Sequence, residues 1–168
     1  YAPIKELEFA ETTNLTSIPY YAFGGLQITE LTLPEGLVNL GTADSYSDGY
    51  AFYSNKKLTT VNLPSTLENI YYYAFYYSEA LTTVNFPNGS NLKYIGQNAF
   101  GSCFAMTSFT VPASVETVGS QAFYNNKNMT SVTFAEGTKV KNINKQAFQN
   151  SGLTSFTFPE TEEPITLG

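Results

Sequence analysis

The dipeptide Ala-Phe recurs six times at near-even spacing, and this recurrence constrains the fold of the chain more than any other feature. The phenylalanines of successive copies are separated by 29, 23, 25, 23 and 25 residues. A fixed period in the twenties is typical of a solenoid, in which each repeat buries its apolar face only by stacking on its neighbours. The six copies are Ala22-Phe23, Ala51-Phe52, Ala74-Phe75, Ala99-Phe100, Ala122-Phe123 and Ala147-Phe148.

The first half of each repeat has the pattern apolar-x-x-apolar-x-apolar-Pro, as in residues 58–64. The alternation places Val61 and Leu63 inward and Thr60 and Asn62 outward, which predicts a short half-buried strand. Proline then ends the strand because it has no N–H to donate. Seven copies predict seven parallel strands, and they begin at Ile4, Ile28, Leu58, Leu81, Met106, Met129 and Leu153.

The second half of each repeat has the pattern apolar-x-x-apolar-x-x-x-Ala-Phe. A small residue beside a large ring suits a narrow turn, so we expect turns or single helical turns here. Two-residue insertions follow Ala10, Pro87 and Ala135, where we expect a loop to bulge without disturbing the core. A longer insertion around residues 44–49 has part of a calcium-loop pattern, but it lacks the required Glu and is interpreted as a surface loop.

The combination of L-T-x-V-x-L-P with V-x-x-I-G-x-x-A-F resembles the BspA-like class of leucine-rich repeats, which are bacterial surface repeats of about 23 residues. The resemblance covers residues 4–159 and implies a leucine-rich-repeat solenoid, with a parallel β-sheet on one face and turns and short helical segments on the other. It also implies secretion to the cell surface and adhesion to host proteins or other cells. We treat residues 1–168 as one array of about six repeats with partial ends, as part of a longer protein.

Composition excludes several classes of function. The net charge is -6, with eight lysines and no arginine, which disfavours binding to nucleic acid. No run of about 18 apolar residues is present, so we expect no membrane span. Histidine is absent, which removes the usual general base and zinc ligand, and we expect neither enzymatic activity, a cofactor nor a metal. The lone Cys103 occupies a column shared with Asn55, Ser78 and Asn126, which indicates a role in stabilising the turn.

The tyrosines are unevenly distributed, since eleven of the thirteen lie in residues 1–77. The columns that hold them in early repeats carry Gln, Ser, Lys or Asn in later repeats, so we expect the rings to be exposed on the turn side. Such a strip favours contact with protein or glycan. Packing of the rings on one another is the alternative, and both interpretations stay open. The candidate binding residues are Tyr21, Tyr50, Tyr53, Tyr72, Tyr73, Tyr76 and Tyr77.

Two further features have a structural and a functional interpretation. The outward strand positions carry mostly Thr, Ser and Asn, which is the usual composition of a solvated sheet face. Glu6, Glu8 and Glu30 could hold Ca²⁺, although such charges more often protect a terminal strand from edge pairing. The resemblance and the tyrosine strip together predict an extracellular or cell-surface module that binds host matrix or other surface proteins. A carbohydrate-binding module and a passive spacer are the alternatives.

Overall fold

The structure is a computed structural model that describes residues 4–10, 14–42 and 49–168. The insertion around residues 44–48 lies outside the described residues. We number the coils by their sequence repeats: coil 1 is 4–27, coil 2 is 28–57, coil 3 is 58–80, coil 4 is 81–105, coil 5 is 106–128 and coil 6 is 129–152. Residues 153–168 begin a further coil. The coils stack into a solenoid built from parallel strands.

The first half of the repeat forms the front sheet. Its strands are β2 (Glu30–Thr32), β4 (Thr60–Asn62), β6 (Thr83–Asn85), β8 (Ser108–Val111) and β10 (Ser131–Phe134). Strand β4 lies between β2 and β6, and β8 pairs with β10, so the front sheet consists of one three-stranded and one two-stranded piece. The structure assigns no strand to described residues 4–10 or to residues 153–159, where the sequence predicts two more.

A second parallel sheet, which the sequence pattern did not predict, runs along all coils. Its seven strands are only two residues long, and they are β1 (Ser17–Ile18), β3 (Asn39–Leu40), β5 (Asn69–Ile70), β7 (Tyr94–Ile95), β9 (Thr117–Val118), β11 (Asn142–Ile143) and β12 (Thr166–Leu167). Within each strand from β1 to β11 the second residue is buried, and these residues align as a column of Ile, Leu and Val. This back sheet therefore fixes the register of the coils.

The Ala-Phe pairs form the turns between the two sheets. Their rings stack in one continuous column, with centroids 5.4–5.6 Å apart between neighbouring coils. Phe52, Phe75, Phe100 and Phe123 are fully buried. Offset stacking of this kind adds to the free energy gained from burial of the rings. The column explains why the sequence repeats a small residue beside a large ring at this point.

No helix occurs among the described residues, so the predicted short helical segments are wrong. In each complete coil two residues near the Ala-Phe pair have positive φ, one directly before Ala and the other two positions after Phe. In coil 3 these are Tyr73 and Tyr77, with φ of 55° and 60°. This geometry interrupts a helix and directs alternate N–H groups at the next coil, where Phe75 N donates to Ala99 O at 2.8 Å.

Buried amides tie neighbouring turns together. Asn126 is fully buried, its Nδ2 donates to Phe100 O at 2.9 Å and its Oδ1 accepts from Cys103 N at 2.8 Å. Asn55 Nδ2 donates in the same way to Phe23 O and Phe52 O. Cys103 occupies this column with no exposed surface, and burial raises the pKa of its thiol far above the ordinary value. This packing agrees with the predicted stabilising role of Cys103.

The front sheet is divided at the junctions that follow the two-residue insertions. Coils 1, 4 and 6 carry an insertion, and their strand segments do not pair with the next coil, whereas the segments of coils 2, 3 and 5 do. The second apolar position of the segment is half-buried in the coils with insertions, at Leu7, Val84 and Val132. It is buried in the others. The sheet is therefore open at each junction that follows an insertion, while the column of stacked Phe rings is continuous, and the sequence did not predict this division.

Candidate protein-binding surface

The tyrosine-rich turns lie on the first three coils, and the turn geometry described above determines how they present their side chains. Tyr21, Tyr50, Tyr73 and Tyr77 all have φ between 52° and 61°. Few residues other than glycine adopt this conformation, and Asn is among those that adopt it most readily. In later coils the same two positions carry Asn98, Ser102, Gln121, Asn125, Gln146 and Asn150.

Seven rings pack against one another across these turns, and we call them the tyrosine cluster. Tyr50 and Tyr73 stack almost parallel, with centroids 4.6 Å apart and an interplanar angle of 5°. Tyr53 and Tyr76 stack at 6.1 Å, while Tyr76 and Tyr77 meet edge to face at 4.4 Å. The members of the cluster are Tyr20, Tyr21, Tyr50, Tyr53, Tyr73, Tyr76 and Tyr77.

Six of the seven predicted tyrosines lie in the cluster, and the predicted residues are less exposed than the sequence indicated. Tyr21 is exposed over 44 % of its surface, and its neighbour Tyr20 over 55 %. The other six predicted tyrosines, including Tyr72, are half-buried. Packing among the rings accounts for this in the cluster, as the alternative interpretation predicts, while contact with a ligand stays a prediction. Tyr20 was missed, although it precedes Ala22 by the same two positions as Tyr72 precedes Ala74.

Two glycines make room for rings at the ends of the cluster. A Cβ atom on Gly101 would lie 2.6 Å from a ring carbon of Tyr76, which rests on the next coil at this point. A Cβ atom on Gly24 would lie 2.7 Å from the ring of Tyr21. Real Cβ atoms do not approach other atoms this closely, so both glycines are required for the observed ring positions.

Three members of the cluster have raised pKa values. Desolvation raises the pKa values of Tyr50, Tyr53 and Tyr76, and neighbouring tyrosines raise them further. Their hydroxyl groups therefore stay protonated and can donate or accept hydrogen bonds. Beside them, Lys56 Nζ forms an ion pair with Glu79 Oε1 at 2.8 Å. The surface thus combines apolar ring edges with neutral hydroxyls and one neutralised pair of charges.

The outward face of the front sheet is a hydrogen-bonded polar ladder. Asn85 Nδ2 donates to Asn62 Oδ1 at 2.7 Å, and Asn62 Nδ2 donates to Glu30 Oε1 and Thr32 Oγ1, both at 3.0 Å. These side chains satisfy one another, as on an ordinary solvated sheet. Within the described ranges no three acidic or cysteine side chains converge as metal ligands would, so the calcium interpretation of the glutamates near coil 1 gains no support.

Comparison with known proteins identifies the repeat. Residues 1–44 and 45–166 match the family model described as BspA type leucine-rich repeat region, in six copies. The chain belongs to the BspA-type leucine-rich repeat family. The predicted family is therefore confirmed. A comparison with curated proteins finds no match.

Solved structures of other leucine-rich repeat proteins share the fold. A leucine-rich repeat protein from Bacteroides ovatus is 26 % identical, with a TM-score of 0.57, over 77 % of this chain and 34 % of the other. The T. pallidum protein TpLRR is 28 % identical, with a TM-score of 0.50, over 73 % of this chain and 65 % of the other. The pneumococcal vaccine antigen PcpA, 20 % identical over 73 % of this chain and 32 % of its own, has a TM-score of 0.58 and supports the fold alone.

This BspA-type chain thus spans about a third of the length of the Bacteroides ovatus and pneumococcal structures. Among the described residues no helix is long and apolar enough to cross a membrane.

Proposed function

We propose that this BspA-type array is a non-catalytic binding module of a secreted or surface-attached protein, and that it recognises other proteins through the tyrosine cluster. The observation that carries the proposal is the packing of seven tyrosines over three consecutive turns. Rings held by one another lose little side-chain entropy on binding, and their hydroxyls supply directional hydrogen bonds. The partner class is an extracellular matrix or other cell-surface protein.

The backbone supports this interpretation. Four tyrosines adopt positive φ, a conformation that costs roughly 1–2 kcal/mol for a residue with a Cβ atom. Later coils build the same turn with Asn, Ser or Gln at these positions, so the fold itself does not require tyrosine. Positive φ at these positions recurs in all six coils, so the feature specific to the first three is the presence of tyrosine in a conformation that Asn adopts more readily.

The ring geometry favours protein over carbohydrate as the ligand. Sugars stack on an open aromatic face, but Tyr50 and Tyr73 turn their faces towards each other at 4.6 Å. Such rings present mainly edges and hydroxyl groups to a ligand. Tyrosine edges and hydroxyls are common at protein interfaces, where tyrosine is enriched among the residues that dominate binding.

The test replaces cluster tyrosines with the residues that the same columns carry in later coils. The variant combines Tyr50→Gln, Tyr53→Gln, Tyr73→Asn and Tyr77→Asn, which suit the turn geometry. Binding to immobilised extracellular-matrix proteins and to a glycan array is measured by surface plasmon resonance. The matched control is Tyr124→Gln, which lies in the column of Tyr76 but outside the cluster.

The proposal expects a matrix protein to bind the wild type and the control, and the cluster variant to lose at least about tenfold in affinity. Circular dichroism and the urea midpoint verify that the variant is folded. Equal binding by the variant would refute the assignment of the surface. Binding only to glycans would favour the carbohydrate alternative, and no binding to either panel would favour the spacer.

A further inference from the structure

The junction between coils 4 and 5 contains a second surface with a different chemistry. Strands β6 and β8 belong to consecutive coils, yet no backbone hydrogen bond joins them in the described structure. A cleft of about 620 Å³ opens between them. Its walls include Val84 and Phe86 from coil 4 and Thr110 and Pro112 from coil 5.

Both walls of this cleft are strand edges with free hydrogen-bonding groups. On the side that faces coil 3, β6 forms its backbone hydrogen bonds through Thr83 and Asn85. Thr83 N donates to Thr59 O, and Asn85 O accepts from Leu63 N. Alternate residues of a strand direct their backbone groups to opposite sides, so the N–H and C=O of Val84 face the cleft. On the side that faces coil 6, β8 forms a backbone hydrogen bond through Val111, whose C=O accepts from Ala135 N. The N–H and C=O of Thr110 therefore face the cleft from the other wall.

The interior of the cleft is closed by the core. The rings of Phe86 and Phe109 meet edge to face at 5.8 Å, and Phe109 is buried against Phe100 and Phe123. At one end Ser114 Oγ is buried with no hydrogen-bond partner. The only charged side chain in the lining is that of Lys139. A ligand in this cleft would meet backbone hydrogen-bonding groups on two sides, the apolar rings of Phe86 and Phe109 beneath it, the hydroxyl group of Ser114 and the positive charge of Lys139.

We propose that this cleft binds an extended peptide segment of a partner protein, which adds as a parallel strand between β6 and β8 and carries an acidic residue near Lys139. An extended chain is the ligand that pairs with both strand edges at once, since each residue offers one N–H and one C=O. The half-buried side chains of Val84 and Phe86 receive its inward apolar residues. This site is independent of the tyrosine cluster, which lies on the turns of coils 1–3.

The test uses a synthetic peptide that copies the strand segment of this chain, residues 58–64, followed by two glutamates. Binding to the whole chain is measured by fluorescence anisotropy, with three altered peptides in parallel. In the first, N-methyl groups on alternate residues remove the N–H donors along one edge of the peptide. In the second, they remove the donors along the opposite edge. The third ends in two lysines in place of the two glutamates. Strand addition between two edges predicts that each N-methylated peptide binds roughly tenfold more weakly or worse. The lysine peptide should also bind more weakly, because of Lys139.

Deletion of Asn88 and Gly89 tests the cleft itself, because it restores the 23-residue repeat that allows neighbouring strands to pair. The deletion should abolish binding, whereas deletion of Glu11 and Thr12, the corresponding two-residue insertion of coil 1, should preserve it. Amide exchange in the wild type should slow at Val84 and Thr110 when the peptide is added. The proposal is overturned if the peptide does not bind at millimolar concentration, or if N-methylation of only one edge weakens it. It is also overturned if the wild type alone dimerises through the cleft, which would make a second copy the occupant.

Discussion

The substitution Asn126→Ala tests whether buried amides hold the turns of this solenoid together. The side chain has no exposed surface and makes two hydrogen bonds between coils, to Phe100 O and from Cys103 N. Alanine would leave both backbone groups buried without a partner. Each such group costs about 1–3 kcal/mol, so we expect the free energy of unfolding to fall by about 2–4 kcal/mol, allowing for the easier burial of alanine.

Urea denaturation followed by circular dichroism measures this loss. For a denaturant slope of about 2 kcal/mol/M, the midpoint should fall by roughly 1–2 M while the slope stays unchanged. The matched control is Asn128→Ala, because Asn128 Nδ2 donates to Phe104 O at 2.8 Å from an exposed position. Water can replace that bond, so the control should lose no more than about 0.5 kcal/mol. If both variants lost the same small amount, buried amides would not be what secures the turns.

Three other perturbations follow from single contacts. Gly49→Ala should lower stability by at least about 2 kcal/mol in the same assay, because its Cβ atom would overlap the carbonyl group of Tyr72; an unchanged midpoint would contradict this. Cys103 should react with a thiol reagent at pH 8 at least about a hundredfold more slowly than in urea, since it is fully buried; a rapid native reaction would contradict it. Bonds from Ser65 N and Oγ lower the pKa of Glu35, so the stability advantage of wild type over Glu35→Gln should be present at pH 7 and vanish as the pH falls below 4.5 through the lowered pKa; an advantage that persists at pH 2 would refute the assignment.

The repeat made the solenoid predictable, because each column of apolar residues can be buried only by stacking on the same column of the next coil. The sequence also located the tyrosine-rich turns, but its premise that columns carrying polar residues in later coils reach water is wrong in coil 4, where Asn98 and Ser102 are buried. It could not reveal how far the rings bury one another. The contact between Tyr50 and Tyr73 depends on the coil spacing and on a positive φ at both residues. Neither quantity is visible in residue identities alone.

The predicted helical segments failed for a related reason. Spacings of three and four residues around Ile70 and Ala74 are compatible with a helix. The coil, however, must also satisfy its backbone groups against both neighbours. Turns with positive φ at Tyr73 and Tyr77 direct alternate N–H groups at coil 4, which a helix cannot do because its N–H groups point along its own axis. Stacking between coils therefore overrides the local pattern.

The insertion is not the only feature that could open the gap between β6 and β8. Coil 5 carries Phe109 in a column that holds valine at Val61, Val84 and Val132. Either the insertion or a larger ring could separate β6 from β8, because the three coils that precede a divided junction share both the insertion and a Phe at the third apolar position of the segment, at Phe9, Phe86 and Phe134. Placing Asn-Gly after Pro64 tests the insertion alone, since coil 3 carries Leu63 at this position and coil 4 carries Val84 in the column of Phe109. If the insertion is sufficient, it should separate β4 from β6. Amide exchange at Leu63, which donates to Asn85 O, should then accelerate.

Leu33 provides an internal control in the same sample, because its N–H donates to Asn62 O across the undisturbed junction between coils 2 and 3. Its exchange should stay slow. If Leu63 remained as protected as Leu33, the insertion would not be sufficient to open the sheet, and the side chains of Phe86 and Phe109 would become the causes to test. If Leu63 alone lost protection, the length of one loop would determine where this solenoid opens a cleft, and a two-residue insertion after the strand segment in other arrays of this type would predict a divided sheet at the same place.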